Sequence, residues 1–249
     1  MDLIAGFTVL QIAVALATAF AAAFVRGLAG FGLAILLVPV LALALTPVEA
    51  VLVTNTVALL MGLSEIRRLV RDAERSAWAI CGLVLLATAP GLIVLAATPA
   101  PVARLAIALV ALSAFVAILL PTRPADVPGR TTTLLTGLSS GLLTGFAGMP
   151  GPPVVPYYVG RHIPRATAKA SMILIFTVAA LAGLGSGVAI GVLYWRQIAL
   201  GALLYPLVLL GNWAGHKASG RVGDRAWRLF VAFVLGAAAL AALAKLLQG

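Results

Sequence analysis

The stretch Arg26-Gly27-Leu28-Ala29-Gly30-Phe31-Gly32 interrupts an otherwise apolar N-terminal region. A second stretch, Gly145-Phe146-Ala147-Gly148-Met149-Pro150-Gly151-Pro152, interrupts another apolar region 118 residues later. Each opens a short apolar segment carrying a proline: Pro39 within residues 31–45 and Pro156 within residues 152–160. In a helix interior glycine costs about 1 kcal/mol and proline about 3 kcal/mol, so both stretches read as helix breaks. Their free backbone groups are tolerated at membrane depth only where protein or a cavity covers them. Glycines there let a ligand approach the backbone, and a proline in a first helical turn forfeits no hydrogen bond.

The composition around these breaks requires lipid. Of 249 residues, 63% are hydrophobic and 10% charged, with a mean hydropathy of +1.14. A soluble domain has about 45–50% apolar and about 25% charged residues. Ten apolar segments are legible: 3–25, 31–45, 48–66, 77–97, 102–120, 132–147, 152–160, 166–193, 197–215 and 227–247. Barrel strands of about 10 residues would alternate in polarity, and these do not. The expected fold class is therefore all-α: a polytopic membrane protein with about eight to ten transmembrane helices or re-entrant hairpins. Residues 67–75 read as a charged loop. Met1-Asp2-Leu3-Ile4 lacks the basic start of a cleaved signal, so the first segment is expected to be a spanning helix. The single cysteine, Cys81, excludes a disulfide framework and reads as a buried thiol.

The order long, short, long, long, long occurs twice. Pro39 and Pro156, Pro47 and Pro164, Thr54 and Ser171, and Trp78 and Trp195 all lie 117 apart. This predicts two repeats, residues 1–125 and 126–249, forming one integral unit. Five segments per repeat invert the second relative to the first. With both termini outside, 13 of the 17 basic residues fall on the cytoplasmic side, while Arg104, Arg196 and Lys245 fall outside. The positive-inside rule favours that orientation. The net charge of +10 thus reads mainly as a topology signal, not as a sign of a nucleic-acid partner. Inverted repeats with broken helices are typical of secondary transporters, whose substrates bind near the midplane.

The two glycine motifs, with Pro39 and Pro156 behind them, and the stretch Pro206-Leu207-Val208-Leu209-Leu210-Gly211-Asn212-Trp213 resemble the sulfite exporter TauE/SafE family over nearly the whole chain. The first break is poorer in glycine than that family's usual motif. The resemblance implies a bacterial inner-membrane permease for small anions such as sulfite, sulfonates or related organosulfur compounds, with export as the direction.

Candidate substrate-binding residues follow from the breaks. Helix starts present free N–H groups and about half a positive charge, which points to Gly27, Gly30 and Gly32 in the first break and Gly145, Gly148 and Gly151 in the second. Basic residues within a membrane are functional candidates by default, hence Arg26 and Lys169. Thr54, Asn55 and Ser171 offer hydroxyl and amide groups inside spans, and Tyr157 offers a phenol to an oxyanion. No carboxylate is placed at mid-membrane, and His162 and His216 read as solvated. No catalytic residue, metal site or cofactor is expected, and the expected partners are a small anion and the bilayer, with a homo-oligomer left open. The alternatives are a channel-like permease, then a membrane-embedded enzyme or a non-transporting membrane partner.

Overall fold

A computed structural model describes residues 2–4, 6–29, 31–119, 128–159, 161–218 and 224–248. The junction expected between the repeats, at residues 125 and 126, lies outside them. Two short strands, β1 (Asp2–Ile4) and β2 (Phe7–Thr8), precede helices α1 (Val9–Ala29), α2 (Leu33–Ala44), α3 (Pro47–Ser64), α4 (Ile66–Asp72), α5 (Arg75–Ala97) and α6 (Ala100–Leu119). The second half contains α7 (Arg130–Ala147), α8 (Gly151–Val159), α9 (Arg165–Ala189), α10 (Trp195–Ala218) and α11 (Asp224–Gln248). The molecule is an all-α polytopic membrane protein, with seven helices among the described residues long and apolar enough to cross a bilayer. Their outer faces are apolar: Leu86, Phe233 and Leu247 are 73%, 75% and 80% exposed, as lipid-facing side chains should be.

Three boundaries differ from the sequence reading. The first helix starts at Val9 instead of residue 3, because residues 2–4 and 7–8 pair as antiparallel strands, with Gly6 at φ 81° before the second. Residues 26–29 are the last turn of α1 instead of part of a break. The stretch read as a charged loop contains α4, an amphipathic turn that buries Leu69 and exposes Arg67, Arg68 and Arg71.

The two short helices return to the end from which their predecessors start. At about 1.5 Å per residue, α2 is about 18 Å long and α8 about 14 Å, well short of a hydrocarbon core of about 30 Å. The Gln11 amide, at the start of α1, donates to the Ala44 carbonyl at the end of α2, at 2.9 Å. In the second half, Ser140 Oγ donates to the Pro150 carbonyl at 2.9 Å, and the Thr133 and Tyr157 hydroxyls meet at 2.9 Å. The half-helix α8 therefore runs antiparallel to the first half of α7.

Each end of the bundle has its own polar clamp. At the α2 end, Arg104 Nε donates to Ala42 O and Lys245 Nζ to Leu43 O, both at 2.7 Å. These cations sit on free carbonyls at the negative end of the α2 dipole. Nearby, Thr46 and Glu49 form a capping box at the start of α3, and Glu49 also pairs with Arg196. At the opposite end, Arg161 binds Glu74 through two nitrogens, at 2.5 and 2.7 Å. Ser171 Oγ accepts the Glu74 N–H at 2.9 Å, and the Ser76 and Tyr158 hydroxyls meet at 2.9 Å.

The Glu74 hydrogen bond raises the Arg161 pKa above the ordinary arginine value. With Glu74 ionised, the stabilisation is thus present below that ordinary value and is lost on the alkaline side only as pH rises through the raised one. Glu74→Ala is expected to lower the unfolding midpoint in detergent by leaving Arg161, 6% exposed at its side chain, without its partner. The cost should fall below the ~3–5 kcal/mol of a fully buried pair, since Glu74 is 26% exposed.

The closest helix pairs are α5 with α7 and α1 with α10, and glycines make that closeness possible. A methyl group on Gly145 would collide with the Thr88 carbonyl oxygen and the Leu92 nitrogen, and one on Gly215 would collide with the Phe24 carbonyl. Small residues let backbones approach where lipid supplies no hydrophobic drive between helices.

Candidate functional site

The two breaks meet around a cavity of about 80 Å³, bounded by the starts of α2 and α8, the middle of α3 and the first half of α9. At about 10–15 Å³ per water by a comparable measure, it holds several waters or one small organic ion. Gly32, Gly148 and Gly151 line it. Gly32, at φ 101°, caps α2 without a side-chain hydrogen bond, and the first helical bond, Leu36 N–H to Gly32 O, is 3.3 Å. The N–H groups of Leu33, Ala34 and Ile35 therefore have no intrahelical acceptor. At α8, positions 152 and 153 are prolines, so only Gly151 supplies such a donor in the first three residues. The α2 start is the richer donor.

Gly148 closes α7 in the left-handed region, at φ 64°. Its N–H bonds Thr144 O at 2.9 Å, and the Met149 N–H bonds Leu143 O at 3.2 Å. The first is the bond of the αL capping motif, and the position needs glycine because a Cβ is strained in that conformation.

The cavity wall carries two cations, Arg26 from the last turn of α1 and Lys169 from the first turns of α9. Among the described residues, the Arg26 guanidinium has one side-chain partner, the thioether sulfur of Met61, and no carboxylate in ion-pair contact. Thioether sulfur is a weak acceptor and guanidinium has five donors, so most of its donor capacity is free. Lys169 has no hydrogen bond or ion pair among the described residues.

Thr54 and Asn55 also line the cavity, 1% and 2% exposed, and neither Thr54 Oγ1 nor Asn55 Nδ2 has a hydrogen-bond partner among the described residues. The neighbouring Thr56 and Thr177 instead bond back to Leu52 O and Ile173 O, at 3.0 and 2.8 Å. A buried polar group left unpaired costs about 1–3 kcal/mol; the Asn55 nitrogen also lies against Gly183 of α9. Asn55→Leu is accordingly expected to stabilise the ligand-free protein by about 1 kcal/mol, read as a higher unfolding midpoint, while lowering anion binding. A calorimetric melt with and without added anion reads both effects.

Seven of the twelve residues singled out in the sequence thus line one cavity: Arg26, Gly32, Thr54, Asn55, Gly148, Gly151 and Lys169. Gly30 lies outside the described residues. The other four sit elsewhere. Gly27 faces Asn212 and Gly215 of α10, and Gly145 faces Thr88 and Gly91 of α5. The Tyr157 hydroxyl is taken by Thr133, and Ser171 Oγ by Thr167 O and the Glu74 N–H. Sequence reasoning passed over Phe31, Met61, Met149, Met172 and Phe176, which form much of the apolar wall. One signal was available: the chain has four methionines, and the three after Met1 all line the cavity.

Comparison with curated proteins and with solved structures gives no match. The family model described as sulfite exporter TauE/SafE matches residues 15–242, which takes in both breaks, the cavity, α2 to α10 in full and most of α1 and α11. The chain belongs to the sulfite exporter TauE/SafE family, a family of membrane transport proteins.

Proposed function

We propose that this protein is a secondary transporter, working as an exporter, that carries a small anion such as sulfite, a sulfonate or a related organosulfur compound across the bacterial inner membrane by alternating access. One observation carries the reading: the only ionisable lysine, arginine, histidine or acidic side chains in the described cavity wall are Arg26 and Lys169, and no carboxylate lines it. An anion entering this site exchanges its hydration for two cations, two unpaired polar side chains and the free N–H groups of α2.

The packing supports two inverted repeats. Exchanging α1, α2, α3, α5 and α6 for α7, α8, α9, α10 and α11 turns the α5–α7 pair into α10–α1 and the α5–α9 pair into α10–α3. The α3–α9 and α6–α11 pairs map onto themselves. The orientation with both termini outside is supported by how that end uses its basic residues: Arg104, Arg196 and Lys245 are all engaged by carbonyls or by Glu49. The opposite end exposes Arg67, Arg68, Arg71 and Arg75, as expected of a cytoplasmic face.

A channel-like permease is the second reading. Packing beyond Asn55 favours a carrier: the Asn55 amide lies against Gly183, Leu52 against Gly187, and Glu49 pairs with Arg196. Flux of labelled sulfite into proteoliposomes decides between them. Saturable uptake, accelerated by unlabelled sulfite on the far side, is the expected result. Non-saturating, current-carrying flux would replace the carrier by a channel. Absence of flux for every anion tested, with folded protein, would overturn the function.

A further inference from the structure

We infer that the joint between the start of α3 and the α9–α10 corner is a gate, with the Glu49–Arg196 pair as its latch. It opens the cavity at the end of the bundle where the N-terminal hairpin lies. This rests on the alternating-access reading and adds the moving part to it. The joint continues directly from the cavity. Asn55 lines the cavity and lies against Gly183, Leu52 about one turn earlier lies against Gly187, and Glu49 about one turn earlier again pairs with Arg196. Parting α3 from these residues connects the cavity to that end.

Each side of the joint is held together internally. On one side, Glu49 Oε2 accepts the Thr46 N–H and hydroxyl at 3.0 and 2.9 Å, while Arg104 and Lys245 bind the Ala42 and Leu43 carbonyls. On the other, Gly191 turns at φ 73°, and the Val192 and Leu193 N–H groups both bond Gly187 O. Gln197 Oε1 then accepts the Tyr194 N–H. Between the two sides, the described residues make one polar link, from Arg196 to Glu49 Oε1. Glu49 keeps its Oε2 partners when Arg196 leaves. Arg196 is 40% exposed at its side chain, so water is at hand to replace the carboxylate. The buried Phe7 ring lies 5.6 Å from the guanidinium, so the hairpin covers the latch. Gly183 and Gly187 present no side chain that α3 has to disengage.

The symmetry-related joint, between α5 and the α8–α9 corner, is fastened more firmly. Four hydrogen bonds cross it: two from Arg161 to Glu74, one from the Glu74 N–H to Ser171, and one between Ser76 and Tyr158. Buried Leu69, Ile80, Tyr158 and Leu174 pack around them. Packed units separate first where the fewest contacts join them. The two repeats therefore share a backbone plan but not a mechanical role: the α3–α10 joint opens and the α5–α9 joint holds.

The test reads accessibility and needs no substrate. The parent is the full-length chain carrying Cys81→Ala and Leu52→Cys, with a membrane-impermeant maleimide added to right-side-out or inside-out vesicles. Glu49→Gln removes the charge yet can still complete the capping box. Glu49→Gln and Arg196→Gln are each expected to speed labelling from the Arg196 side about tenfold, as for an ion pair between the exposed and buried limits. Glu74→Gln should leave the rate unchanged. Unchanged labelling in both latch variants, in either vesicle orientation, overturns the inference. Equal acceleration by Glu74→Gln overturns the assignment of the gate to this joint. In a second arm, Gly187→Cys is added to the parent and bridged to position 52 by a short bifunctional thiol reagent. Bridging is expected to stop sulfite flux, and full flux in the bridged protein also overturns the gate. Faster labelling in the latch variants with no anion flux in any preparation supports the joint and overturns the transport reading instead.

Discussion

Gly145→Leu is expected to abolish accumulation of folded protein in the membrane. Gly145 lies where α7 presses on α5, and even a methyl there would meet the Thr88 carbonyl oxygen and the Leu92 nitrogen. Both are backbone atoms of a helix that already packs α7 through Gly137 and Gly141. A flexible side chain can rotate away from an intruding carbon, but a helix backbone has to translate. Overpacking that side chains can partly absorb costs about 1–3 kcal/mol, so a leucine against backbone should exceed that range. Separating the helices would also disturb α8, which is tied to α7 through Ser140 and Thr133. Size-exclusion profiles in mild detergent provide the measurement. A monodisperse Gly145→Leu protein with wild-type yield would show that the α5–α7 contact is loose. Gly145→Ala should fall between the two.

Arg26→Gln is expected to lower anion flux about 100-fold per folded protein, with little loss of stability. Truncating one partner of a buried charge pair typically costs about 2–5 kcal/mol of binding, and about 2.7 kcal/mol corresponds to 100-fold. The stability half of the expectation is the more diagnostic. A buried arginine serving architecture is held by acceptors, as Arg104 is by Ala42 O and Arg161 by Glu74. Among the described residues Arg26 has only the Met61 thioether as a hydrogen-bond partner. Replacing a poorly compensated buried charge by a neutral side chain is often neutral or stabilising. Thermal melts and proteoliposome flux on the same preparation separate the two roles. A large drop in melting temperature with normal specific flux would make Arg26 a structural residue.

Arg26, Gly27 and Gly145 show where local sequence stops being informative. Glycine was legible as a helix breaker, and the breaks do occur next to Gly32 and Gly148. Gly27 and Gly145 have the same chemistry and sit in adjacent motifs, yet both are helical and serve close packing. The difference lies in the partners: Asn212 and Gly215 for Gly27, and Thr88 and Gly91 for Gly145. These lie some 50 to 190 residues away in sequence, where no local pattern points to them. Thr54 and Ser171 are a similar case. They correspond by repeat offset, but Thr54 Oγ1 is unpartnered beside the cavity whereas Ser171 clamps the turn before α5. An offset relates backbone positions; it does not fix what a short hydroxyl meets.

The sequence by itself determined the membrane class, the helical architecture and the pairing of the two short segments. Lipid provides no hydrogen bonds, so spanning segments must be long, apolar and internally bonded, and that demand is written in composition and segment length. Tertiary structure alone decided which glycines pack helices and which line the cavity, and which polar residues are left without partners. It also brought the scattered Met61, Met149 and Met172 to the same cavity as Arg26 and Lys169. Those outcomes depend on distances between residues on different helices, set by the closest approach that each pair of backbones can reach.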